Sequence, residues 1–83
     1  RADVPLLYLG VSQLMMQDDK AALTSLARAD RFATKTRKDA ASWYHAVAAV
    51  QAHSPDANAL LHGLCHRNKS HYAQQACDLE KSR

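Results

Sequence analysis

Three of the chain's five histidines and both of its cysteines fall between Ala59 and Cys77, in the stretch ALLHGLCHRNKSHYAQQAC. His62 and His66 stand four residues apart, so a helix projects both imidazoles from one face, the geometry that lets two histidines share a zinc ion. With His71 they make a candidate metal site, and Cys65 and Cys77 are the remaining candidate ligands. At about 100° per residue, however, Ala57, Leu60, Leu61 and Leu64 centre on one face and the two histidines lie nearly opposite, toward solvent. Cys65 falls to the side of them, and Cys77 lies further down the next helix. A structural zinc demands a full set of protein ligands in defined geometry. The preferred expectation is therefore a solvated or partner-facing histidine cluster, with no metal and no cofactor. A Cys65–Cys77 disulfide meets the same obstacle. A turn centred near Asn68-Lys69 sets Cys65 opposite about Tyr72, leaving Cys77 displaced by more than a helical turn, beyond the ~7 Å Cα limit. Two free, semi-buried thiols are expected.

Other constellations carry less chemistry. No Gly-rich phosphate loop and no nucleophile elbow is present, and Asp18-Asp19 reads as a helix cap rather than an acid pair. Cys65 and His66 are adjacent, but neighbours on a helix diverge by about 100°, which defeats a thiolate–imidazole pair. The chain is expected not to be an enzyme. The segment RFATKTRK, with Arg31, Lys35, Arg37 and Lys38, is the one basic cluster with an aromatic nearby. It reads as a solvated connector, with contact to phosphate or nucleic acid as the lesser alternative.

These residues are positioned by a small helical domain. Eighty-three residues make one core, which buries about 60–65% of the surface exposed by the unfolded chain. A composition that is 47% apolar and 23% charged is that of a folded domain, and a net charge of +3 is modest beside dedicated nucleic-acid binders. Much of the apolar share is alanine, with two glycines and two prolines, so propensity favours helix nearly throughout. The longest uncharged runs, Val4 to Gln17 and Ala40 to Ala52, fall short of the ~20 apolar residues of a membrane span. The chain opens at Arg1 without an initiator Met and reads as a fragment or processed product, while the charged tail EKSR favours a real C-terminus. Its compartment, cytoplasmic or extracytoplasmic, is not encoded in these residues.

Five helices are expected. The first opens with Asp3 as N-cap and Pro5 in its first turn and ends near Gln17. Asp18-Asp19 caps a second, KAALTSLARADRF, with Ala22, Leu23, Leu26 and Ala29 on one face. ATKTRKD reads as a polar connector or as a frayed helix end. The third, DAASWYHAVAAVQAH, aligns Trp43, Ala46, Val47 and Val50. Trp43 and Tyr44 cannot fill one seam together, so Trp43 is assigned to the core and Tyr44 to a contact surface. Ser54-Pro55-Asp56 starts the fourth, DANALLHGLCHR, with Asn68 as its left-handed terminator and Ser70 as the cap of the fifth, HYAQQACDLEKS.

Aligning Leu6 with Trp43, a shift of 37 residues, sets Gly10 on Val47, Ala22 on Ala59 and Leu26 on Gly63, so one helix-turn-helix layout occurs twice. The unit is close to ~34 residues. Through Leu6, Leu9-Gly10, Ala22, Leu26 and Ala29, and again through Trp43, Tyr44, Ala46 and Ala59, the chain resembles the tetratricopeptide-repeat family, while Gly63 and His66 depart from its pattern. The second half also looks like the terminal repeat and capping helix of repeat domains in bacterial membrane-associated regulatory and assembly proteins. The resemblance implies an all-α array of repeat one (residues 1–36), repeat two (37–68) and a capping helix (69–83). It further implies a scaffold or adaptor that binds a peptide segment, a partner helix or another copy of itself on a concave face. From helix phase, Tyr8, Gln13, Tyr44, His45 and Gln51 are the candidate partner-binding residues.

Overall fold

The chain is all-helical. A computed structural model describes residues 3–67 and 69–83, apart from the side chain of Thr36, as α1 (Asp3–Met15), α2 (Asp19–Phe32), α3 (Lys35–Gln51), α4 (Ala57–Cys65) and α5 (Ala73–Lys81). Among the described residues no helix is long and apolar enough to cross a membrane. Three helix pairs run antiparallel: Gln13 meets Ser25 and Gly10 meets Leu26 between α1 and α2, Ala22 and Leu26 cluster with Ala48 while Ala29 and Ala33 cluster with Ala41 between α2 and α3, and Cys65, His62 and Asn58 meet Cys77, Glu80 and Arg83 toward and beyond the end of α5.

Helix ends follow backbone chemistry that glycine counting misses. α1 and α3 both finish with a left-handed residue, Gln17 (φ 61°) and His53 (φ 56°). In each, two backward N–H bonds satisfy the orphan carbonyls: Gln17 to Leu14 and Asp18 to Gln13, then His53 to Val50 and Ser54 to Ala49. Ser54 and Ser70 act alike at the next starts. Ser54 Oγ accepts the Asp56 N–H at 3.2 Å and Ser70 Oγ accepts the Tyr72 N–H at 3.1 Å. Asn68, the expected left-handed terminator, lies outside the described residues. Asp3, expected as an N-cap, sits within the first turn of α1, and its carboxylate accepts from Arg37 Nε at 2.6 Å.

The expected connector ATKTRKD is mostly helix. α3 begins at Lys35, leaving Ala33 and Thr34 between the helices. The basic side chains that suggested a solvated loop turn back onto the fold, Arg37 onto Asp3 and Lys38 onto Asp30 at 2.7 Å.

The core holds two similar seams and a third cluster, Ala29, Ala33 and Ala41 beneath Leu6 and Leu7. In the first, Leu7, Leu14 and Tyr44 pack on Ala22, Leu26 and Ala48; in the second, Trp43, Val50 and Leu79 pack on Ala46, Leu61, Leu64 and Ala76. Gly10 makes the first seam possible, because a Cβ there would overlap Leu26 Cγ and Cδ2. The packing corrects the repeat register. A shift of 37 sets Ala59 and Gly63 on the fully buried Ala22 and Leu26, yet both are exposed. The buried trio Ala57, Leu61 and Leu64 instead matches Ala22, Leu26 and Ala29 at 35 residues. Leu7, Gly10 and Leu14 likewise match Trp43, Ala46 and Val50 at 36. The sequence alignment anchored the large aromatic on the wrong one of two adjacent leucines.

The aromatic pair splits differently from expectation. Trp43 faces α4 and α5 and stacks on Tyr72, ring centroids 5.6 Å apart and nearly parallel, while Tyr44 turns into the seam of α1 and α2. Both are half-buried, each in its own seam.

Cys65 and Cys77 are disulfide-bonded, with Cα atoms 4.7 Å apart, which overturns the expectation of free thiols. The pairing register of the hairpin was placed too early. Cys65–Cys77 and His62–Glu80 are both centred on His71, two to three positions beyond the Asn68-Lys69 centre expected from the sequence. Asp39 of α3 holds it there, accepting the Ser70 hydroxyl and the His71 N–H.

Candidate interaction surfaces

α1 lies at the edge of the bundle and is apolar on both sides. Its inner side carries Leu6, Leu7, Gly10 and Leu14. Its outer side leaves Tyr8 73% exposed, Leu9 49%, Met15 81% and Met16 78%. No charged residue lies between Val4 and Gln17, so the outer face offers water nothing ionic in return for its apolar area. Helical phase groups Val4, Tyr8, Val11 and Met15 on one strip and Pro5, Leu9 and Met16 on the next, about 20 Å long together. Sequence reasoning found Tyr8 alone of this group. The signal available was the missing polar stripe of the first helix, which a helix with one buried face does not need to forgo.

The five expected contact residues do not share one surface. Tyr8 projects from the outer face of α1. Gln51 is exposed beside Met15, lining a cavity of about 500 Å³ with Leu14, Gln17, Asp19 and His53 where α1 and α3 end. Gln13 turns inward and its Oε1 accepts the Ser25 hydroxyl at 2.7 Å. Tyr44 packs into the first seam. His45 borders a different cavity of about 410 Å³, with Leu23, Ala27, Ser54, Asp56, Ala59 and Leu60 between α2, α3 and α4.

His45 belongs to a polar knot centred on Asp30. The carboxylate takes Lys38 Nζ at 2.7 Å, Ser42 Oγ at 2.7 Å and His45 Nδ1 at 2.9 Å, while Lys38 also donates to the Asp30 carbonyl at 2.6 Å. Burial raises the Asp30 pKa, but hydrogen bonds from His45, Lys38 and Ser42 with the Lys38 charge outweigh it and hold the group well below the usual carboxylate range. Serine, histidine and aspartate meet here in the wrong order for nucleophilic catalysis. The hydroxyl donates to the carboxylate instead of to the imidazole, so nothing activates it. The knot ties α2 to α3.

The histidine cluster also separates. His62 and His66 remain neighbours on the exposed side of α4, ring centroids 4.3 Å apart, and His62 Nδ1 lies 3.0 Å from Glu80 Oε2 of α5. His71 lines a cavity with Lys35 and Arg67, its backbone N–H bonded to Asp39, and the cysteines are bound to each other. Among the described residues no group of three His, Cys, Asp or Glu is arranged to hold a metal ion.

No family model, no curated protein and no solved structure matches this chain.

Proposed function

We propose that this chain is a non-enzymatic protein–protein interaction module of tetratricopeptide-like build, and that the outer face of α1 is its docking surface. The observation that carries this reading is the uncharged strip of Tyr8, Leu9, Met15 and Met16, exposed on a helix whose opposite side already fills the core. Exposed apolar patches of this kind mark contact surfaces, and methionines adapt their shape to a partner helix. The close Gly10–Leu26 approach and the recurring seam at 35 to 36 residues support the tetratricopeptide-like reading.

The occupant is α1 of a second copy. With no charge anywhere on the strip, two such helices meet about a two-fold axis without setting like charges opposite each other. Light scattering over a concentration series tests this, with Leu9→Glu/Met15→Glu as the variant, since both side chains are exposed and neither belongs to a core cluster. Reversible dimerisation that the variant abolishes is the expected result. A wild-type chain that stays monomeric overturns self-docking.

A further inference from the structure

A second surface is built of charge. The cavity of about 400 Å³ between the start of α3 and the α4–α5 connection is lined by Lys35, Lys38, Asp39, Arg67, Lys69 and His71. Two segments some 30 residues apart supply these groups, so the fold and not sequence adjacency brings them together. Four cationic side chains face Asp39, and with Lys38 paired to Asp30 two positive charges are left over, most of the +3 that the whole chain carries net.

Asp39 offsets one of these charges, and only at a distance. Its oxygens accept the Ser70 hydroxyl and, at 2.7 Å, the His71 N–H, while Arg67 Nη1 stays 3.8 Å away. Lys38 is committed to Asp30. Lys35 and Lys69 are exposed and make no ion pair among the described residues.

We infer that this cavity binds a phosphomonoester dianion. Such a group carries close to two negative charges at neutral pH and three acceptor oxygens. Arg67 supplies a planar fork of donors, and Lys35 and Lys69 supply point charges on flexible stems. A singly charged carboxylate would leave half of the local surplus uncompensated, whereas a dianion matches it. The volume lies within the ~300–1,000 Å³ of small-ligand pockets, so the phosphoryl group enters with a small carrier. The site stands apart from the outer face of α1, and either reading can fail without the other.

The test is an amide chemical-shift titration of the full chain with inorganic phosphate and with a short phosphoserine peptide, sodium chloride holding ionic strength constant. Saturable shifts at Lys35, Lys69, Ser70 and His71 are expected with both. Lys35→Glu/Lys69→Glu lowers affinity tenfold or more, whereas Lys20→Glu/Lys81→Glu, with the same change in net charge on exposed sites outside the cavity, does not. Tighter binding of the peptide assigns the phosphoryl group to a protein, and equal affinity assigns it to a free small molecule. Shifts that rise linearly and are reproduced by chloride, or equal weakening in the two variants, overturn the inference. So does a response to the peptide with none to inorganic phosphate, because the carrier and not the phosphoryl group would then be recognised.

Discussion

Breaking the Cys65–Cys77 bond, by reduction or by Cys65→Ser/Cys77→Ser, is expected to unfasten the C-terminal hairpin before the rest of the molecule. The bond closes a loop with a sequence separation of 12, for which chain entropy gives about 3 kcal/mol of stabilisation. α4 and α5 hold nine residues each, short of the ~12–15 that a marginal isolated helix requires, so their order depends on tertiary ties. Those ties are Leu61, Leu64 and Ala76 in the second seam and the Trp43–Tyr72 stack. For a domain of this size about 3 kcal/mol corresponds to a fall of roughly 12–24 °C in Tm. The chain's single tryptophan reports on this seam directly, because Trp43 lies against Tyr72 at its far end. Thermal melts by circular dichroism and by Trp43 fluorescence, with and without reductant, make the measurement. The fluorescence transition should move to lower temperature ahead of the loss of helicity from α1 to α3. A Tm within about 2 °C of the oxidised protein, against that expected fall, with unchanged Trp43 emission would refute the reasoning.

Gly10→Ala should destabilise by about 1–3 kcal/mol in urea unfolding, because its Cβ overlaps the fully buried Leu26. Gly63→Ala should stabilise by about 0.5–1 kcal/mol, since a Cβ there meets open space on a helix. Asp30→Asn should cost about 1–3 kcal/mol at pH 7 by weakening three side-chain bonds across α2 and α3. The folded Asp30 pKa is depressed, so its stabilising contribution is present above the unfolded carboxylate value of about 4 and is lost as pH falls below it. The gap between wild type and Asp30→Asn should accordingly shrink from pH 7 toward pH 2. Zinc should leave the melting curve unmoved, because the described residues hold no group of three His, Cys, Asp or Glu arranged for a metal and the thiols are oxidised, and a raised Tm in zinc would contradict that arrangement.

Local signals and packing signals fared differently. The five helices were legible because Ala22, Leu26, Ala29 and Ala57, Leu61, Leu64 recur at helical spacing, and because Ser54 and Ser70 announce the starts of their segments. The disulfide was not legible, because its geometry depends on where a turn is centred, and Asp39, 26 residues before Cys65, sets that through Ser70 and His71. The basic connector misled for a similar reason. Lys38 and Arg37 looked like loop residues until Asp30 and Asp3 were seen to receive them. Helix phase likewise identified Tyr8 as outward, yet could not show that Gln13 would meet Ser25 or that His45 would meet Asp30. Hydrogen bonds between helices decide such cases, and single-helix periodicity contains no record of them.

Molar mass in solution, followed by light scattering as concentration rises and repeated with Leu9→Glu/Met15→Glu, tests the role of the α1 face most directly. The account predicts a reversible approach to twice the monomer mass, lost in the variant while its helicity is kept. A monomer at every concentration, with the amides of α1 unshifted, would contradict it.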